Sequence, residues 1–131
     1  MKRLIGLVVS VCLTVLLISS CGGGGTSSGT VSVTGYWTGW WTSSTGESGS
    51  LTVSLTSIGS TFSGPVIIGN SDCFGYESAV GTMDGSTVTL GVSSNAIIFI
   101  GTVGSNSIIS GMYEVSGGDC YGDYGVFSIS K

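Results

Sequence analysis

Between residues 35 and 130 the chain alternates apolar and polar positions in short runs, and the period is two. The stretch SLTVSLTSI (50–58) is the clearest: Leu51, Val53 and Leu55 share one face, and Thr52, Ser54 and Thr56 share the other. That period belongs to a strand with one wet and one buried face, and no apolar pattern returns at helical spacing. The alternation predicts strands at about 35–43, 49–57, 60–68, 77–83, 86–93, 96–103, 107–115 and 124–130. Every link is short and none could hold a crossover helix, so sequential neighbours must pair antiparallel. Eight such strands close into an all-β, antiparallel up-and-down barrel, which leaves no exposed edge. A two-sheet β-sandwich is the alternative architecture.

The turn residues fit the same reading. Met83-Asp84-Gly85-Ser86 predicts a two-residue hairpin, because Asp-Gly accepts the positive φ angles of a type I′ turn. Gly-Ser pairs recur at 49, 59, 85 and 104, at or just ahead of strand starts. The likeness of IGSTFSG (58–64) to VGSNSIISG (103–111) fits repeated turn chemistry better than an internal duplication. One segment breaks the alternation. AIIFI (96–100) is apolar on both faces, so its outer face predicts a cover of loops, a second copy or a partner.

The front of the chain obeys different rules. Met1-Lys2-Arg3 is basic and Leu4 to Ile18 is almost wholly apolar, an arrangement of n-region and h-region that reads as a signal peptide. Ile18-Ser19-Ser20-Cys21 resembles the lipobox of bacterial lipoproteins. The resemblance implies that the Cys21 thiol takes a diacylglycerol, that cleavage removes residues 1–20, and that the new amino terminus is acylated. Two or three acyl chains hold a protein on a bilayer durably, so the lipid bilayer is the expected partner of Cys21. Residues 21–32 then form the lipidated cysteine and a flexible Gly/Ser/Thr tether, and residues 33–131 form the β-barrel domain. The expected location is the cell envelope. If the cell is Gram-negative, Gly22, standing where an Asp would favour inner-membrane retention, points to the outer membrane.

Gly35-Tyr36-Trp37 opens the first predicted strand and is similar to the Gly-x-Trp opening of calycins, the lipocalin and avidin-like barrels. The resemblance implies a barrel whose tryptophan plugs one end. Lipocalins pack a late-strand arginine over that tryptophan, whereas here no arginine follows Arg3.

Composition narrows function mainly by exclusion. Beyond residue 20, Lys131 is the one basic side chain against seven acids, a formal charge of −6, and the whole chain lacks histidine. Such a chain cannot neutralise a phosphate backbone, which excludes nucleic acid as a partner. Lipid rather than charge must hold it on an anionic membrane. A domain of roughly 100 residues buries a modest core and gains from a staple. Cys73 and Cys120, the thiols left after Cys21, predict a disulfide in an oxidising envelope. Two cysteines without histidine do not complete a zinc site, and no Ser-His or Cys-His nucleophile can be assembled. Neither enzymatic activity nor a cofactor is expected.

A meander puts every odd-to-even link at one end of the barrel, and the even-to-odd links with the amino terminus at the other. Cys73 and Cys120 fall at the first end, together with Glu47, Asp72, Glu77, Asp119 and Asp123, with Glu114 nearby; Asp84 alone sits at the second. The expected free end is therefore acidic and strapped by the disulfide. Two groups of residues are candidate sites. Tyr36, Trp37, Trp40 and Trp41 form the densest aromatic cluster, with Trp37 and Trp41 on one strand face and Tyr36 and Trp40 on the other. They serve either as core and wall or as a stacking surface for a ligand. Asp72, Glu77, Asp119 and Asp123 could hold a cation such as Ca²⁺, but they lack EF-hand spacing, and solvated loop charge is the plainer account. The expected function is structural or adhesive, through the free rim or the 96–103 face, with a protein or small ligand as further partner. The alternative is a binding module that holds a small hydrophobic or saccharide ligand in or on the barrel.

Overall fold

Eight strands form where the alternation places them: β1 (Gly35–Ser43), β2 (Ser48–Ile58), β3 (Thr61–Ile68), β4 (Tyr76–Asp84), β5 (Thr87–Val92), β6 (Ile97–Val103), β7 (Ile108–Val115) and β8 (Tyr124–Ser130). Each end lies within one residue of its expected position. The structure is a computed structural model that describes residues 32–104 and 107–131. The expected signal segment, Cys21 and the expected tether up to residue 31 lie outside the described residues.

Every strand pairs antiparallel with its sequence neighbours, and β8 returns to β1 to close the barrel. Closure rules out the sandwich, because β1 carries a ladder on both sides: Gly39 faces Leu51 of β2 and Ile129 of β8. The inward positions form one apolar core that includes Trp37, Val53, Phe62, Leu90, Phe99 and Phe127. Glycines make room where two bulky groups meet. At Gly39, between the inward indoles of Trp37 and Trp41, an added Cβ would overlap the Ser128 carbonyl of β8. At Gly101 it would sit 2.9 Å from both Ile109 and Phe127. Small residues opposite large ones let eight strands close around side chains without a pore. The mid-barrel void measures about 20 Å³ and only apolar residues line it, so it offers a water no polar partner. The barrel is filled.

The hairpin at Asp84 differs from expectation by one register step. Asp84 still pairs with Thr87, so the central turn residues are Gly85 and Ser86, and of these only Gly85 has positive φ (59°). That is the type II′ pattern rather than type I′. This register sets inward Met83 opposite inward Val88. Gly59 (φ 63°) and Ser60 repeat the arrangement between β2 and β3. Two of the recurrent Gly-Ser pairs are therefore the same turn.

Links 44–47, 69–75, 93–96 and 116–123 gather at one end, the mouth; the amino-terminal approach to β1 lies at the other, the plug end. A disulfide joins Cys73 to Cys120, with Cα atoms 6.1 Å apart, and so ties the β3–β4 link to the β7–β8 link across the mouth.

Candidate functional site

Alternation in β1 separates the four aromatic candidates. Trp37 and Trp41 are buried inside, while Tyr36 and Trp40 stand on the outer wall, Trp40 half exposed. Tyr36 and Trp40 are four residues apart, roughly 13 Å along a strand, which is too far to share one small ligand.

Trp37 closes the plug end. Its indole N–H donates to the Val33 carbonyl at 2.8 Å, which satisfies the ring's one donor inside the core. Lys131, just beyond β8, lays its ammonium 4.9 Å from the centre of that ring and donates to the Ser32 carbonyl at 3.1 Å. A cation does cover the plug tryptophan, and it is the lone described basic side chain rather than an arginine. The pattern of strands gave no sign of this contact. The available signal was the single lysine left in an acidic domain.

The mouth holds most of the remaining chemistry. Trp41 donates to the Gly69 carbonyl at 3.0 Å and so pins the start of the β3–β4 link. Its ring meets Tyr113 of β7 edge-on at 6.2 Å and 83°, and Tyr113 lies 5.6 Å from Phe99 of β6. Asp123 accepts hydrogen bonds on both carboxylate oxygens, from the buried Ser43 hydroxyl and from the Tyr113 phenol at 3.0 Å. Burial, and then the hydrogen bond to Asp123, push the Tyr113 phenol up to about 12. The phenol therefore stays protonated and keeps donating. Between these rings and the strap lies a cavity of about 110 Å³, bordered also by Phe74, Glu47 and Asp72.

Of the four loop acids, Asp72 and Asp123 border this cavity, while Asp119 is exposed in the β7–β8 link and Glu77 is half-buried in β4. Among the described residues no three His, Cys, Asp or Glu side chains converge as a metal site requires. Comparison with family models, curated proteins and solved structures finds no match.

The outer face of β6 is uncovered. Ile100 is 52% exposed, pairs with Met112 of β7, and Met112 pairs with Val126 of β8, so an apolar row crosses three strands. Ile98, Ile100, Met112 and Tyr124 wall an open groove of about 610 Å³ on the outside of the barrel.

Proposed function

We propose that this chain is a non-catalytic, lipid-anchored protein of the cell envelope, calycin-like in its barrel, which acts by contact through the mouth rim. The observation that carries the proposal is the filled barrel. With Trp37 plugging one end and a void of only about 20 Å³ in the middle, the middle of the barrel has no room for a lipid or a sugar, so contacts are made at the mouth or on the outer wall. The rim is the part built for contact: it holds the longer links, their disulfide and the acids Glu47, Asp72, Asp119 and Asp123. It also lies opposite the end at which the chain enters β1. The lipobox-like run at Cys21 supplies the anchor, and the absence of histidine removes the commonest general base.

The anchor is tested with the full chain in a Gram-negative host. Native protein should incorporate labelled palmitate and lose residues 1–20, and Cys21→Ser should do neither. A native chain that takes up no palmitate, or a Cys21→Ser chain that takes up as much, defeats the anchor. The rim is tested with beads that carry the Cys21→Ser chain by its amino-terminal end or by a biotin acceptor inserted at Gly46 of the β1–β2 link. Beads with the mouth outward should adhere to intact envelopes and the reversed beads should not; equal adhesion removes the rim from the account.

A further inference from the structure

The mouth cavity is small. At about 110 Å³ it is of the same order as the ~150 Å³ cavity that admits benzene, so its occupant is a compact group of about that size. Its walls combine two kinds of surface. Trp41, Tyr113 and Phe99 form a connected aromatic cluster on one side. Glu47, Asp72 and Asp123 contribute carboxylates, and the one described basic side chain, Lys131, is at the opposite end over Trp37. The charged side chains that border the mouth are therefore all acidic, which disfavours an anion. A metal ion needs several oxygens within about 2.6 Å of one point. No three described acids provide that, and both Asp123 oxygens already accept hydroxyl donors. A spread of carboxylates around aromatic rings suits instead a cation whose charge is diffuse and whose surface is hydrocarbon, because ring quadrupoles attract it without coordinating it.

We propose that the mouth cavity binds a small organic ammonium group of the alkylammonium or trimethylammonium type, seated against Trp41, Tyr113 and Phe99, with Glu47, Asp72 and Asp123 supplying the counter-charge. The strap defines the depth of the site, since Cys73 and Cys120 both border the cavity. Ligands that fit are headgroups carried on a larger molecule, with the headgroup in the cavity and the remainder outside the rim. This rests on the mouth being the working end and specifies what that end recognises.

The test uses the full Cys21→Ser chain, with tryptophan fluorescence titrated at constant ionic strength. The probes are choline, its neutral tert-butyl analogue with carbon in place of nitrogen, glucose and calcium chloride. Choline should give a saturable change at millimolar concentration and bind at least tenfold more tightly than the neutral analogue. The fluorescence change should vanish in Trp41→Phe, while Trp40→Phe retains it. The Glu47→Gln/Asp72→Asn double variant should weaken choline at least fivefold and leave the neutral analogue unchanged. Equal binding of choline and the analogue would mean a merely apolar pocket and overturns the proposal. Saturation by glucose or calcium without choline overturns it in favour of a sugar or metal site, and silence with all four probes also overturns it. Should the double variant fail to fold, the native chain's preference for choline over its analogue decides alone. Choline binding in solution without oriented bead adhesion would retire the adhesive role and keep the ammonium site.

Discussion

Reducing the Cys73–Cys120 bond should cost this barrel about 4 kcal/mol. The cysteines are 47 residues apart, and closing a loop of that length in the unfolded chain removes about 14 cal/mol/K of entropy, or about 4 kcal/mol at room temperature. The native barrel should change little on reduction, because the β8–β1 ladder closes the ring independently of the strap. The loss should therefore come from the unfolded chain. The assay is urea unfolding of the full Cys21→Ser chain, read by tryptophan emission with and without a phosphine reductant, with Cys73→Ser/Cys120→Ser as the permanent reduced state. With a urea slope of about 1–3 kcal/mol/M, the midpoint should fall by roughly 1.5–4 M. Thermal unfolding should fall by roughly 15–30 °C, at ~4–8 °C per kcal/mol for a domain of this size. Before denaturant is added, the emission of buried Trp37 and the far-ultraviolet strand signal should match in both forms. A midpoint shift below about 0.5 M would refute the entropic account. Loss of native signal on reduction alone would refute the claim that strand pairing, rather than the strap, closes the barrel.

Three further outcomes are expected. Lys131→Met should lose about 0.5–1 kcal/mol through the missing cation over Trp37, and Lys131→Arg should restore it; equal stability of all three in urea would show the contact is idle. Gly39→Ala should destabilise by at least ~1–3 kcal/mol, because the new methyl group meets the Ser128 backbone, which cannot step aside as a side chain would. Unfolding of Gly39→Ala at the native midpoint would contradict so close an approach of β1 and β8. The Tyr113 phenol, raised to about 12 when folded against 10 unfolded, contributes stability fully below pH 10 and loses it as pH rises toward 12. Tyr113→Phe should remove that part of the alkaline decline, and an unchanged profile between pH 10 and 12 would place the proton elsewhere.

Much of the barrel was legible because a strand's side chains alternate and a filled core accepts only one phase. Leu51, Val53 and Leu55 had to face inward, and this fixed β2 and, through pairing, its neighbours. The disulfide was legible for a related reason: an eight-strand meander returns the third and seventh links to the same end. The turn at Gly85 was not, because Asp84-Gly85 and Gly85-Ser86 are both good hairpin pairs and both registers keep Met83 and Val88 on the inward face. The mouth cavity was legible in part. The acids were placed at the correct end, but the aromatic side of the cavity comes from Trp41, Phe99 and Tyr113 on three strands, and no local run of residues joins them. Lys131 over Trp37 was invisible to a search for a particular residue type, since what the ring needs is a positive charge and lysine supplies one.

The chain enters β1 at the plug end and the strapped mouth lies at the far end, so a load applied between residue 32 and the rim runs along the strands. Its direction differs from theirs only by the tilt of an eight-stranded barrel, roughly 35–45°. In that direction the 8 registered pairs of β1 with β2 and the 6 with β8 are sheared together rather than peeled one after another. Lys131 on Ser32 and Trp37 on Val33 fasten the chain where such a pull would arrive first. The same fold loaded across its axis would unzip from one ladder. If the proposed anchor holds one end and the proposed contact the other, the barrel would carry tension along its strands.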